Sequence, residues 1–116
     1  MKHAVCAADE LPADGVLPAT VDGIAVVIVR TATGELHALR DICPHQGALL
    51  SKGSLEAAVD GPSVGVYELS DTRMILRCPW HGYEFDVDTG RCLADASSRV
   101  RTYPVTVEDG MVVVER

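Results

Sequence analysis

Two short pairs, Cys43-Pro44-His45 and Cys78-Pro79-Trp80-His81, carry the residue types with the most chemistry in this chain of 116 residues. Each sets one thiolate and one imidazole on a tight stretch of backbone. Each is followed at once by glycine, Gly47 after Gln46 and Gly82 directly. Two sulfur and two nitrogen ligands suit either a tetrahedral zinc ion or an iron–sulfur cluster whose two irons are ligated differently. Zinc loops usually space the members of a pair by two or more residues and pair like with like, which the mixed C-x-H spacing does not do. Cys6, Cys92, His3 and His37 have no partner at ligand spacing. Cys6 and Cys92 read as small buried apolar residues, unpaired in a reducing compartment, and the two histidines as ordinary surface or strand residues.

The elements that must position these pairs are short and often punctuated by turns, which predicts an all-β sandwich or barrel. Ile24 to Val29 is β-branched and apolar throughout, the pattern of a central strand covered on both faces. A turn at Thr31 to Glu35 leads into Leu36–Leu39, and this hairpin runs straight into the first pair. Arg73 to Arg77 enters the second pair in the same way. Beyond it, Tyr83, Phe85 and Val87 alternate with Glu84, Asp86 and Asp88. The acidic set reads as a solvated strand face, with the alternative that it meets a basic partner. Asp88-Thr89-Gly90 is a turn and Arg91 to Leu93 returns. A last hairpin pairs Val100–Val107 with Met111–Glu115 through Glu108-Asp109-Gly110.

Bulk properties set the outer bounds. The length suits one domain, residues 1–116. A hydrophobic content of 47% and a charged content of 23% describe a globular chain rather than a disordered one. No apolar run approaches the roughly 20 residues that span a bilayer, and Met1 to Val5 lacks the apolar heart of a secretory signal. A cytoplasmic protein with no membrane contact is expected. The net charge of −7 argues against nucleic acid and anionic membranes as partners.

Written out, the two stretches are CPHQGALLSKG and CPWHGYEFDVDTG, and here the chain resembles the Rieske family, whose signature is C-x-H followed later by C-x-x-H. The resemblance implies a Rieske-like antiparallel β-sandwich with two cluster-binding loops at one end, about 43–53 and 78–86. It implies one [2Fe–2S] cluster, with Cys43 and Cys78 on the inner iron and His45 and His81 on the outer one. Pro44, Gly47, Pro79, Trp80 and Gly82 would flank it. The prolines fix the backbone and remove a donor, the glycines admit backbone N–H groups or serve as ordinary turn glycines, and Trp80 screens water or simply packs against the loop. The gap from His45 to Cys78 is 32 residues, whereas compact Rieske sequences have roughly half as many. The excess is expected at about 56–71, where Asp60-Gly61-Pro62-Ser63 breaks the pattern and Val64 to Leu69 suggests an extra strand or excursion.

Charge bookkeeping says what such a ligand set is for. Two ferric ions, two sulfides and two thiolates sum to zero, so an added electron meets less negative charge than in a four-cysteine cluster. The potential rises into a span of about −150 to +300 mV. High-potential relatives resemble C-T-H-x-G-C and C-P-C-H-G-S-x-Y, with a loop-linking disulfide and two hydroxyls aimed at the cluster. This chain has Ala48 and Trp80 in place of those cysteines, Tyr83 in place of the serine and Phe85 in place of the tyrosine. The resemblance therefore implies a low-potential one-electron carrier of the ferredoxin type, passing electrons from a reductase, flavin-dependent by analogy, to a terminal oxygenase. Oxygenase subunits add a long domain with mononuclear iron, so a chain of this length is expected to be an electron-transfer component and not an enzyme. The alternatives are an accessory subunit of a larger reductase such as a nitrite reductase, or a redox-sensing module.

Overall fold

The computed structural model describes residues 1–44, 47–63, 66–79, 82–93 and 97–116, and for 57–63 and 66–73 it describes the backbone. Ten strands follow in chain order: β1 (Lys2–Ala7), β2 (Val16–Val21), β3 (Ile24–Arg30), β4 (Leu36–Arg40), β5 (Ser54–Ser63), β6 (Val66–Arg77), β7 (Glu84–Asp86), β8 (Thr102–Tyr103), β9 (Val105–Glu108) and β10 (Met111–Glu115). Among the described residues the helical structure is two short 3-10 turns, Ala8–Glu10 and Leu50–Lys52. The strands form three antiparallel sheets, β1-β10-β9, β2-β3-β4-β8 and β5-β6-β7.

The middle sheet is shared by two cores, and strand alternation shows how. Val27 and Val29 of β3 face one core with Leu39, Leu76, Phe85 and Val87. Their neighbours Val26 and Ile28 face the other, with Val21, Val112 and Val114. Side chains from β5-β6-β7 close the first core and side chains from β1-β10-β9 close the second, so the sheets stack in three layers. That is why Ile24 to Val29 carries no polar face: Val26 through Val29 are all at most 1% exposed. Each such valine contributes about 1.5–3 kcal/mol through burial.

Two stretches differ from their sequence-based expectation. Val100–Val107 is not one strand. Thr102–Tyr103 pairs with β4 in the middle sheet, and Val105–Glu108 pairs with β10 in an outer one. Pro104 lies at the crossing, where its missing N–H interrupts a ladder, while its carbonyl still accepts from the Glu115 N–H at 2.9 Å. Asp60 to Ser63 does not break the chain out of β structure either. β5 runs through it, with register shifts between Ala57 and Val59 and between Asp60 and Ser63. The extra length between the pairs is thus an extended hairpin, β5 with β6; Val64 and Gly65 lie outside the described residues.

Elsewhere the turns fall as expected. Asp109 and Gly110 both have positive φ (52° and 75°), as a tight hairpin turn requires. Thr31 closes the β3–β4 connection by accepting the Glu35 N–H on Oγ1 and donating its own N–H to the Glu35 carbonyl.

Candidate metal centre

Strand pairing brings the two cysteine loops together. Loop 1 leaves β4 and delivers the chain into β5, whereas loop 2 joins β6 to β7. β5 and β6 are hydrogen-bonded neighbours, with Ser54 opposite Arg77, Leu55 opposite Leu76 and Glu56 opposite Ile75. The exit of loop 1 therefore lies beside the entrance of loop 2. Gly53, the residue before Ser54, lies against the Arg77 carbonyl.

The loops share one backbone frame. In loop 1 the Cys43 N–H donates to the Ala48 carbonyl at 2.8 Å, and in loop 2 the Cys78 N–H donates to the Tyr83 carbonyl at 2.7 Å. Both bonds span five residues. The fourth residue after each cysteine is glycine with φ of 70°, Gly47 and Gly82, a left-handed conformation that costs an L-residue about 1–2 kcal/mol. The Gly47 N–H is committed to the Cys43 carbonyl at 2.7 Å, so what the structure shows for this glycine is a conformational role. Ala48 and Tyr83, at matching positions, both turn back onto the core that holds the cysteines.

Cys43 and Cys78 are 0% and 2% exposed and belong to the same apolar core, while Pro44 and Pro79 directly after them are exposed. Each loop thus roots its sulfur inside and brings the proline that follows to the surface. His45, Trp80 and His81, expected at the site, lie outside the described residues, as does Gln46. All four cysteines are outside any disulfide. Cys6 and Cys92 are buried, as expected, and in different cores. Burial first, then Glu10, pushes the Cys6 thiol above its ordinary pKa against the pull of Arg30, which keeps it protonated and inert. His37 Nε2 and Nδ1 lie 3.6 Å from Glu35 and 3.9 Å from Asp88, and His3 Nε2 lies 3.6 Å from Asp22.

Two anchors of the loops were not found from sequence. Asp41, 2% exposed, accepts the Ser51 N–H on Oδ1 at 2.8 Å and the Ser51 hydroxyl on Oδ2 at 2.6 Å, latching the two ends of loop 1 together. Arg77 lies across loop 2. Its Nε donates to Glu56 at 2.9 Å and its Nη2 to Glu84 at 3.0 Å. A Cβ built on Gly82 would be 3.4 Å from Nη1. Hydrogen bonds from Ser54 and then Arg77 hold the Glu56 carboxyl below the usual glutamate range, and Glu56 in turn raises the Arg77 pKa. The expected acidic stripe is thus largely engaged. Glu84 binds Arg77, and Asp86 Oδ1 accepts from the Asp88 and Thr89 N–H groups of the following turn. The sequence carries the partners, a serine ten residues after Asp41 and an arginine just before Cys78, but their pairing depends on the tertiary arrangement.

The profile of the Rieske [2Fe-2S] domain matches residues 1–104. The ferredoxin component of a naphthalene 1,2-dioxygenase system from Pseudomonas aeruginosa is 32% identical over 91% of this chain and 86% of its own length. The ferredoxin component of an alkene monooxygenase system from Xanthobacter autotrophicus is 31% identical, over 95% and 77%. Among solved structures, a nitrite reductase small subunit from Mycobacterium tuberculosis superposes with a TM-score of 0.82 at 26% identity, covering 100% of this chain and 95% of that one. A ferredoxin from Sphingomonas yanoikuyae superposes with a TM-score of 0.73 at 25% identity, covering 100% and 99%.

Proposed function

The chain belongs to the Rieske [2Fe-2S] domain family, and from that premise we propose that it is a one-electron carrier of the ferredoxin type, with Cys43, His45, Cys78 and His81 as the ligands of its one cluster. The observation that carries this reading is the pair of matched loops, each rooting a buried cysteine in the same core. The donor set fits the group. Two thiols shielded from water suit the inner, all-sulfur iron. The exposed prolines directly after the two cysteines suit an outer iron, held by His45 and His81, that would meet a partner. Bound there, the cluster would supply a site that takes up and releases a single electron, its net charge passing between 0 and −1.

The residues of the chain do the rest. The buried apolar surroundings keep water from the sulfurs, and the latch at Asp41 and the brace at Arg77 hold the loops in place. Phe85 is fully buried below loop 2 and has no hydroxyl to donate, and Ala48 cannot form a loop-linking disulfide. Both features favour the low end of the potential range. Electrons would come from a reductase, flavin-dependent by analogy, and pass to a terminal oxygenase, as the names of the ferredoxin relatives suggest. On this reading the chain performs no catalytic step of its own and works in the cytoplasm. No described helix is long and apolar enough to cross a membrane.

The test is anaerobic reductive titration with visible and EPR spectra. A rhombic signal of low average g at low potential is the expected result; a four-cysteine-type signal, or an iron-free protein that binds zinc instead, would end the reading. The high structural likeness to a nitrite reductase small subunit favours one second reading, an accessory subunit. Electron delivery to a purified oxygenase, against co-purification with a large reductase subunit, separates the two.

A further inference from the structure

We propose that Gly53 is a positioning residue for the ligands: its bare α-carbon, seated on the Arg77 carbonyl, sets the spacing between the two cysteine loops. The inference rests on the two-loop ligand reading and extends it to the last residue of loop 1, which is none of the proposed ligands. Gly53 has φ of −87°, a value open to any residue, so conformational freedom does not explain it. Space does. A Cβ at this position would lie 1.8 Å from the Arg77 carbonyl oxygen, 2.9 Å from its carbon and 3.3 Å from the Leu50 oxygen. All three are backbone atoms and cannot swing aside as a side chain would. The closest contact falls 1.2 Å short of the 3.0 Å that real Cβ atoms keep.

Both sides of this contact are stiff and lead to a ligand. On the loop 1 side the Gly53 N–H donates to the Leu50 carbonyl at 3.0 Å, Leu50 is fully buried, and Ser51 is held by Asp41 two residues before Cys43. On the loop 2 side Arg77 is bonded directly to Cys78, and its partner Ser54 is the first residue of β5. A displacement at the contact therefore passes to Cys78 without slack. Metal constellations tolerate errors of about 0.5 Å, less than the clash demands.

The experiment compares Gly53→Ala with Gly110→Ala. Gly110 has φ of 75° and open space around it, so the control adds backbone strain without a clash. Hydrogen exchange of the peptide spanning 76–84 is expected to quicken about tenfold or more in Gly53→Ala, with β3 unchanged. The EPR g values and potential should shift, and Gly110→Ala should move none of these. Equal exchange in both variants, or uniform quickening over the whole chain, overturns the proposal. Should Gly53→Ala not fold, Ser51→Ala keeps the glycine and weakens the latch. A smaller quickening in the same peptide supports the proposal, and none refutes it. Exchange can be read with or without the bound group, so parent and variant are compared at matched iron content. An altered peptide 76–84 in a protein lacking the mixed-ligand cluster would sink the ligand reading alone, whereas a normal cluster with unchanged g values and exchange would sink only the role of Gly53.

Discussion

Loop 1 and loop 2 have the same backbone frame and opposite kinds of anchor. Each begins with a buried cysteine, closes with a bond across five residues and turns at a glycine with φ of 70°. Loop 1 is then fastened by a buried carboxylate that takes two hydrogen bonds from Ser51. Loop 2 is fastened by a guanidinium between two glutamates whose side chains are 42% and 36% exposed. The frame goes with the cysteine that opens each loop, and the anchor goes with the surroundings. Loop 1 ends on a short helical turn against the core, where a buried acceptor finds donors. Loop 2 sits between three strands, where long charged side chains reach across rungs.

The sharpest way to break the comparison is at the cysteines. If the frames are equivalent, Cys43→Ser and Cys78→Ser should each reduce bound iron to below about a tenth of the parent protein, as measured by iron and sulfide content. One variant retaining the cluster would show that the loops are not equal partners. The anchors come next. Asp41→Ala removes a buried carboxylate that takes two charge-assisted bonds from half-buried Ser51 and should lower unfolding free energy by about 2–3 kcal/mol, whereas Arg77→Ala should cost only about 0.5–1 kcal/mol. Urea unfolding of the two variants decides it, and the reverse order would refute the contrast.

Salt sharpens the contrast without a mutation. At 1 M salt the screening length is about 3 Å. The stability difference between the parent and Arg77→Ala should therefore shrink, while that for Asp41→Ala stays. The smallest effect concerns Glu56. Its folded pKa lies below its ordinary value, so the stability it adds is present above the ordinary glutamate range and lost as pH falls through the folded value. The parent should exceed Glu56→Gln by about 0.5 kcal/mol at pH 7, and the gap should close in acid. A gap that widens in acid would contradict the assigned partners.

What could be read from residues was what neighbours along the chain determine. The cysteine–histidine pairs with their glycines, the Thr31 to Glu35 turn, the Asp109-Gly110 hairpin and the double-faced β3 all depend on local spacing and alternation. Asp41 with Ser51, Arg77 with Glu56, and Gly53 with Arg77 depend on which strands become neighbours, and nothing in the local pattern states that β5 lies against β6 in this register. The same holds at Pro104. The alternation of Val100–Val107 looks continuous, but a change of sheet is a property of the tertiary arrangement, marked locally only by a missing donor. The buried state of Cys6 and Cys92 was legible because thiols without partners behave as small apolar groups.

The β5–β6 pairing carries a consequence for engineering. The rungs nearest the loops, Ser54 to Ala57 against Met74 to Arg77, fix where loop 1 ends and loop 2 begins. Whatever lies beyond those rungs adds reach without moving either cysteine. The stretch is therefore a natural splice point, where a fluorescent reporter or a tether to another protein could be grafted while the redox end keeps its shape.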